Sequence, residues 1–389
     1  MTSSVQGLLR ASRSWASRQP TVTVLVSAND GGAPLEDCLP EDTQLLFDAW
    51  RQLGLRIVLS AWQEASPPIA VALPLGTWDY YEVHDQFVSK MRELCTAGTA
   101  PGADLEAVAW CSHKSYLLEL AAAGLPVVPT RLIRRGESEC ALSLTTAIEQ
   151  LGRPRYCVVK PVIGGRGDGV ERLRTCDGCP EWLSTLLHTH SVLVQPFLPE
   201  VTRRGEICLV FVNGALLHVV HKDPRKWGAP AGHAADAGTG AKPIVSGAGL
   251  LAHECTRQSV LLLDPPPLEL VALAQRVLEF AADRCGGMPY LARVDLLPSG
   301  PTSNTSAPYA SSSGSLSGCT WTAGWEWLVS ELELGWPELF LRASPGAVQR
   351  VAKALLNHIP ESGTPHVTGF ENSEQLDHRA VKRPRANDD

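Results

Sequence analysis

Val158-Val159-Lys160-Pro161-Val162-Ile163-Gly164-Gly165-Arg166-Gly167-Asp168-Gly169-Val170 is the stretch on which the reading of this chain turns. It begins as an apolar run of strand type, reaches Lys160 near the strand's end, and breaks into glycines. That order suits a polyphosphate. Glycines let backbone N–H groups come close to phosphate oxygens, and the lysine adds a positive charge. A Walker A loop would place the lysine after the glycines and follow it with Ser or Thr. A Rossmann fingerprint would lack the lysine ahead of the glycines and would open a helix. A glycine-rich hairpin that holds nothing would look similar, so the remaining chain has to decide.

Working outward, the composition is that of ordinary globular material. The chain has 389 residues, 44% hydrophobic and 19% charged, enough for two or three domains. A net charge of -7 with no broad basic face argues against nucleic acid as a partner. No apolar run approaches a membrane span, so no membrane partner is expected. The 11 cysteines are odd in number and unpaired in spacing, which suits reduced thiols inside a cell. Cys176-Asp177-Gly178-Cys179 lacks a second ligand pair at zinc spacing and reads as an incidental loop. Arg10, Arg13 and Arg18 lie among serines without an acid in residues 1–20. That fits either an organelle transit segment or a flexible start, and the expected location is cytoplasm or organelle.

Thr21 to Val26 has the pattern of a buried strand, followed by a helix over Glu41 to Leu53 and strands over Leu55 to Leu59 and Ile69 to Leu73. This rhythm predicts a parallel α/β sheet. A helix is expected near Phe87 to Cys95. Ser112 is read as the cap of a further helix bearing Tyr116, Leu117 and Leu120, with Lys114 in its first turn. The helix dipole disfavours a cation there, and a bound anion would relieve that cost. A helix near Trp182 to His188 leads to the strand Ser191 to Gln195. Asn213-Gly214 predicts a hairpin between Gly205 to Val212 and Ala215 to Lys222. Residues 223–249 read as a long functional or mobile loop. A helix over Leu268 to Arg284, a strand over Tyr290 to Leu297 and another over Trp327 to Leu334 follow. Residues 299–319, rich in Ser, Thr, Gly and Pro, read as a disordered insertion. A last helix is expected over Pro345 to His358. Lys382-Arg383-Pro384-Arg385 reads as a solvated polar tail, a nuclear signal being the alternative.

The order of these parts resembles the ATP-grasp superfamily. Within it the chain is similar to the glutathione-synthetase-like group that includes the D-cycloserine-forming ligase. The stretches that carry the likeness are Thr77-Trp78-Asp79-Tyr80, Lys114-Ser115-Tyr116-Leu117, Val127-Val128-Pro129-Thr130 and Val159-Lys160-Pro161. Gln195-Pro196-Phe197-Leu198-Pro199-Glu200-Val201, Gly205-Glu206 and Glu331-Leu332-Glu333-Leu334 complete them. The resemblance covers about residues 21–345 and implies an α/β (α+β ATP-grasp) fold. It implies an N-terminal α/β domain over 21–112, an ATP-grasp domain over 113–345, and a C-terminal helix and tail over 346–389.

The same resemblance implies roles. Lys114 and Lys160 would meet the ATP phosphates, and Gly164, Gly165, Gly167 and Gly169 would close over them. Gln195, Pro196, Phe197 and Leu198 would line the adenine pocket, with Glu200 at the ribose. Asp295, Glu331 and Glu333 would hold Mg2+, with Mn2+ as an alternative, because hard cations take oxygen ligands. Glu331 and Glu333 stand two apart on a strand and so share a face. Their mutual repulsion is taken as a sign of a cation between them. Arg293 would stabilise the tetrahedral intermediate and Lys222 the γ-phosphate. The implied reaction activates a carboxylate as an acyl phosphate, which an amine-type nucleophile then attacks, giving ADP and phosphate. The implied partners are small-molecule carboxylate and amine substrates, and a homodimer is allowed. The rival reading is an ATP-binding regulatory protein without catalysis.

The chain departs from the group's pattern on the substrate side. Pro74-Leu75-Gly76 stands where Arg-Ser is usual, Trp110-Cys111 where Trp-Asn is usual, and the Arg225-Lys226-Trp227-Gly228 context is altered. These departures imply a substrate different from that of the D-cycloserine-forming ligase.

Overall fold

The computed structural model describes residues 19–28, 39, 41–137, 139–165, 169–222, 260–301 and 324–360. Three sheets organise them. The first is parallel, in the order β2 (Arg56–Ala61), β1 (Thr21–Val26), β3 (Ala72–Gly76). Val22, Val24 and Val26 join one core with Leu46, Phe47 and Trp50 of α1 (Glu41–Gln52). Leu25 joins the other core, with Phe87 and Met91 of α2 (His84–Thr96). Covering both faces of a strand calls for a near-continuous run of apolar or β-branched residues, which is what Thr21 to Val26 supply. The third strand lies slightly later than expected. Val71 makes only an isolated bridge to Ala100, and the strand proper begins at Ala72.

Two helices follow, α3 (Gly102–Cys111) and α4 (Tyr116–Ala122). The expected cap at Ser112 is not formed. Ser112 ends α3 in helical geometry, and its hydroxyl donates back to the Ala109 carbonyl at 3.0 Å. Lys114 therefore sits in a turn between two helices. Its N–H donates at 2.7 Å to the Val162 carbonyl, so a long-range contact fixes it instead of a helix dipole.

The second sheet is antiparallel, in the order β4 (Arg131–Ile133), β7 (Val192–Pro196), β5 (Tyr156–Pro161), β6 (Glu171–Arg174). Two helices, α5 (Cys140–Gln150) and α6 (Glu181–Thr189), share its core through Leu144, Ala147, Leu183 and Leu187. Beyond it, the short helix α7 (Val201–Arg204) leads into the third sheet. That sheet is also antiparallel, in the order β10 (Val260–Leu262), β9 (Ala215–Lys222), β8 (Glu206–Val212), β11 (Leu291–Pro301), β12 (Trp325–Leu334). The expected hairpin is present at Asn213 (φ 48) and Gly214 (φ 75), and two positive φ values fit a type I′ turn. Helix α8 (Leu268–Cys285) buries Leu270, Val271, Ala274, Val277, Leu278 and Ala281 along one stripe and stops at left-handed Gly286. The last helix, α9 (Ala347–Ala354), packs Val351 into the core of the first sheet.

The second and third sheets are joined by hydrogen bonds that Val128 and Pro126 exchange with Val329 of β12. The expected insertion starts later than 299, because β11 runs to Pro301. Residues 302–319 of it lie outside the described residues, as do the 223–249 loop, the 382–385 cluster and residues 1–18. Among the described residues no helix is long and apolar enough to cross a membrane.

Candidate active site

Lys160 is buried at the end of β5 and lines a cleft with Val128, Val158, Gln195, Pro196, Phe197, Leu198, Glu206 and Glu331. The Gln195 amide donates at 2.8 Å to Thr130 Oγ1, which fixes its orientation. Four of the five residues expected around the nucleotide base and ribose thus line the cleft. Glu200 is not among the lining residues, and its carboxylate is held by Arg203 at 3.4 Å and Arg204 at 3.9 Å.

The glycine turn is anchored at Gly164. Its carbonyl accepts Lys114 Nζ at 2.7 Å and Tyr80 Oη at 3.0 Å. Gly169 has φ +67, and a Cβ there would lie 2.8 Å from the Pro161 ring, so both backbone and space require glycine. Gly165 has open space around it, and Gly167 lies outside the described residues. The residue before Tyr80, Asp79, is anchored to the first sheet and the segment after it. The Asp79 carboxylate accepts Ser27 Oγ and Trp62 Nε1, both at 2.7 Å, and Gln63 Nε2 at 2.9 Å.

The expected acids converge. Asp295 pairs across the ladder with Glu331, and Arg293 with Glu333. Carboxylate oxygens of Asp295, Glu331 and Glu333 lie within 4.8 Å of one another. A bulge at Ser330 breaks the ladder there, and its hydroxyl donates at 3.0 Å to the Asp295 carbonyl. Arg293 grips Asp295 through two bonds of 2.8 Å and reaches Glu333 at 2.7 Å. Lys114 lies 3.4 Å from Glu331. The repulsion between the two glutamates is therefore met by protein cations, and by itself it does not demand a metal. The donor set still fits one. It offers only carboxylate oxygens, each keeping a lone pair beyond its bond to Arg293 or Lys114.

Burial and charge set the protonation of these groups. Burial alone would raise the carboxyls of Asp295 and Glu331, but Arg293 and Lys222 outweigh it for Asp295, as do Lys114 and Lys160 for Glu331. Both are held below the ordinary carboxylate range. Burial pushes Glu333 up to about 7 against Arg293, with Glu331 and Asp295 adding to the rise. The Lys160 ammonium is pushed down to about 8, mainly by burial. Lys114 moves the other way, because Glu331, Tyr80 and Glu333 outweigh its burial.

Lys222, at the end of β9, donates at 3.1 Å to Glu206, its cross-strand partner. Both are buried, and Glu206 is lifted by that burial to about 7. Glu206 and Tyr80 were not singled out as site residues by the sequence reading, although both stand in stretches that carried the resemblance. Phe340 closes the floor at left-handed φ 50, its ring 5.5 Å from both the Lys222 ammonium and the Arg293 guanidinium. Trp110 and Cys111, where the pattern departs on the substrate side, are buried; the Trp110 indole donates to Glu119 at 3.1 Å.

No family model matches the chain. It is 27% identical over 192 residues to the cycloserine biosynthesis protein DcsG of Streptomyces lavendulae, a match over 47% of this chain and 64% of that protein. The match therefore spans less than two thirds of that relative's length. Among solved structures, D-cycloserine synthetase DcsG superposes with TM-score 0.62 at 21% identity, covering 87% of this chain and 99% of the other. A RimK domain ATP-grasp protein from Sphaerobacter thermophilus gives 0.51 at 17%, covering 86% and 100%. D-alanine–D-alanine ligase from Bacillus anthracis, complexed with ATP, gives 0.51 at 13%, covering 89% and 98%. At these identities the likeness is one of fold, and the fold of this chain is the ATP-grasp fold.

Proposed function

We propose that the chain is an ATP-dependent ligase. It activates a carboxylate as an acyl phosphate for attack by an amine-type nucleophile and releases ADP and phosphate. The observation that carries this reading is that Glu331, which lines the cleft with Lys160, also pairs with Lys114 and clusters with Asp295 and Glu333. Such an arrangement neutralises phosphate charge from two sides and needs no side-chain nucleophile. Similarity to a synthetase and a ligase by name, D-cycloserine synthetase DcsG and D-alanine–D-alanine ligase, points the same way.

In this reading Lys160 and Lys114 hold the phosphates, and the Gly164–Gly169 turn excludes water from them. Gln195 to Leu198 seat the base. Asp295, Glu331 and Glu333 would hold Mg2+, which neutralises charge on the transferred phosphoryl group. Arg293, fixed by Asp295 and Glu333, offers a rigid guanidinium to the developing oxyanion. Lys222 is kept charged beside Glu206 for the γ-phosphate. Thr21 to Ser112 forms the N-terminal domain and residues 113–345 the catalytic one. The departures at Pro74 to Gly76 and at Trp110-Cys111 favour a substrate different from that of DcsG.

The test is ADP release screened across amino acids and small carboxylates, then repeated with Glu331→Gln. The variant should keep its fold and much of its nucleotide affinity. Its turnover should drop by orders of magnitude, since charge neutralisation matters most in the transition state. Equal rates at every magnesium level would remove Glu331 from the metal site. ATP binding without turnover on any carboxylate would favour the regulatory binder instead.

A further inference from the structure

Away from the cleft, the core of the second sheet contains a cysteine pair that the ligase reading leaves unused. Cys140 opens α5 and is buried; Cys179 lies half-buried one residue before Pro180, which caps α6. Their Sγ atoms are 2.7 Å apart although the residues are 39 positions apart in the chain. That separation exceeds a disulfide bond by only about 0.7 Å. Both thiols belong to one core with Leu144, Leu183 and Leu187, so packing of the two helices holds them together. Cys176, the other cysteine of the C-x-x-C, is exposed and donates toward Asp177.

We propose that Cys140 and Cys179 form a reversible disulfide, a redox modification site that ties the start of α5 to the start of α6. The co-reactant is a small-molecule disulfide such as glutathione disulfide. The half-buried Cys179 loses its proton and attacks one sulfur, forming a mixed disulfide and expelling one thiolate, which takes up that proton. Cys140 then loses its proton and attacks Cys179 Sγ. The Cys140–Cys179 bond forms as the mixed disulfide breaks, and the second thiolate leaves and is protonated. Two protein thiols are oxidised and one small disulfide is reduced to two thiols. Burial lifts the Cys140 thiol to about 12, which assigns first attack to the more accessible partner. The loop so closed contains β5, Lys160 and the glycine turn. Closing it restricts the unfolded chain, so the oxidised protein should melt at a higher temperature than the reduced one.

The full chain, reduced and then equilibrated with glutathione disulfide, should be acid-quenched, alkylated and mapped by mass spectrometry. A linked Cys140–Cys179 peptide pair is expected, together with a raised melting temperature that dithiothreitol reverses. Cys179→Ser should abolish both effects, and Cys140→Ala serves if that variant fails to fold. Three results would overturn the proposal: full alkylation of both thiols after oxidation, glutathione retained on Cys179 beside a free Cys140, or Cys179 linked to Cys176. The mapping needs no turnover, so it stands or fails separately from the ligase reading.

Discussion

Titrating the cleft between pH 7 and 9 should turn Lys160 from a cation into a neutral amine in the free protein. Burial holds its pKa near 8, more than two units below the ordinary value of 10.5. About nine-tenths of Lys160 is then protonated at pH 7 and about one-tenth at pH 9. A phosphate beside the amine favours the charged form, so nucleotide binding should take up about 0.1 proton at pH 7 and about 0.9 at pH 9. Affinity for the magnesium nucleotide should fall toward tenfold per pH unit above 8, about 1.4 kcal/mol each. Isothermal titration calorimetry in two buffers of different ionisation enthalpy measures the uptake directly. The free protein gives an independent sign. Between about pH 8 and 10.5 the unfolded chain binds more protons than the folded one, so stability should rise with pH across that window. The charge buried below pH 8 costs about 3 kcal/mol at most. Lys160→Met should therefore raise the melting temperature at pH 7 while weakening nucleotide binding. Proton uptake at pH 9 that is absent in wild type, or unchanged in Lys160→Met, would refute the reasoning.

Two further outcomes are open to direct measurement. Asp104 is fully enclosed and accepts the Tyr290 N–H at 2.8 Å, and burial lifts its carboxyl to about 8. The folded state then binds more protons than the unfolded one between about pH 4 and 8, so stability falls as pH rises through that range. Asp104→Asn should flatten this dependence and raise the melting temperature at pH 8, as a denaturation series in pH would reveal. Tyr80→Phe removes one bond to the Gly164 carbonyl, worth about 1 kcal/mol. The expected result is a several-fold rise in KM for ATP in the ADP-release assay with little change in melting temperature; an unchanged KM would detach Tyr80 from the turn.

What the chain disclosed before folding depended on how much of each element faces water. The strands at 21–26 and 291–297 were readable because β-branched and other apolar residues dominate both, broken only by Thr21 and Thr23 in the first and by Arg293 and Asp295 in the second. Helix α3 was missed for the converse reason. Leu105, Ala107, Val108, Ala109, Trp110 and Cys111 are all buried, so no polar face marks a helical period. Helix α5 places Ser143, Thr145 and Thr146 among its apolar residues, which are weak helix formers. Glu331 and Glu333 were legible as a pair because spacing of two along a strand fixes a face, whereas Asp295 entered beside them only through the resemblance. The Glu206–Lys222 pair was not. Counting outward from a two-residue turn at Asn213-Gly214 would set His221 opposite Glu206. A register shift between Val210 and Phe211 moves Lys222 there instead.

The Gly164 carbonyl has a consequence for how the molecule breathes. Both of its acceptor positions are filled, one by Tyr80 from the segment after the first sheet and the other by Lys114, which also reaches Glu331 on the third. Gly164 itself continues from the second. One peptide oxygen thus adds a polar tie among three sheets whose apolar cores already meet, and a ligand that steadies it should slow amide hydrogen exchange in all three together. Measured by mass spectrometry with and without magnesium nucleotide, β1, β5 and β12 should gain protection as one cooperative unit. Protection confined to β5 would mean that the layers open independently and that this carbonyl couples nothing.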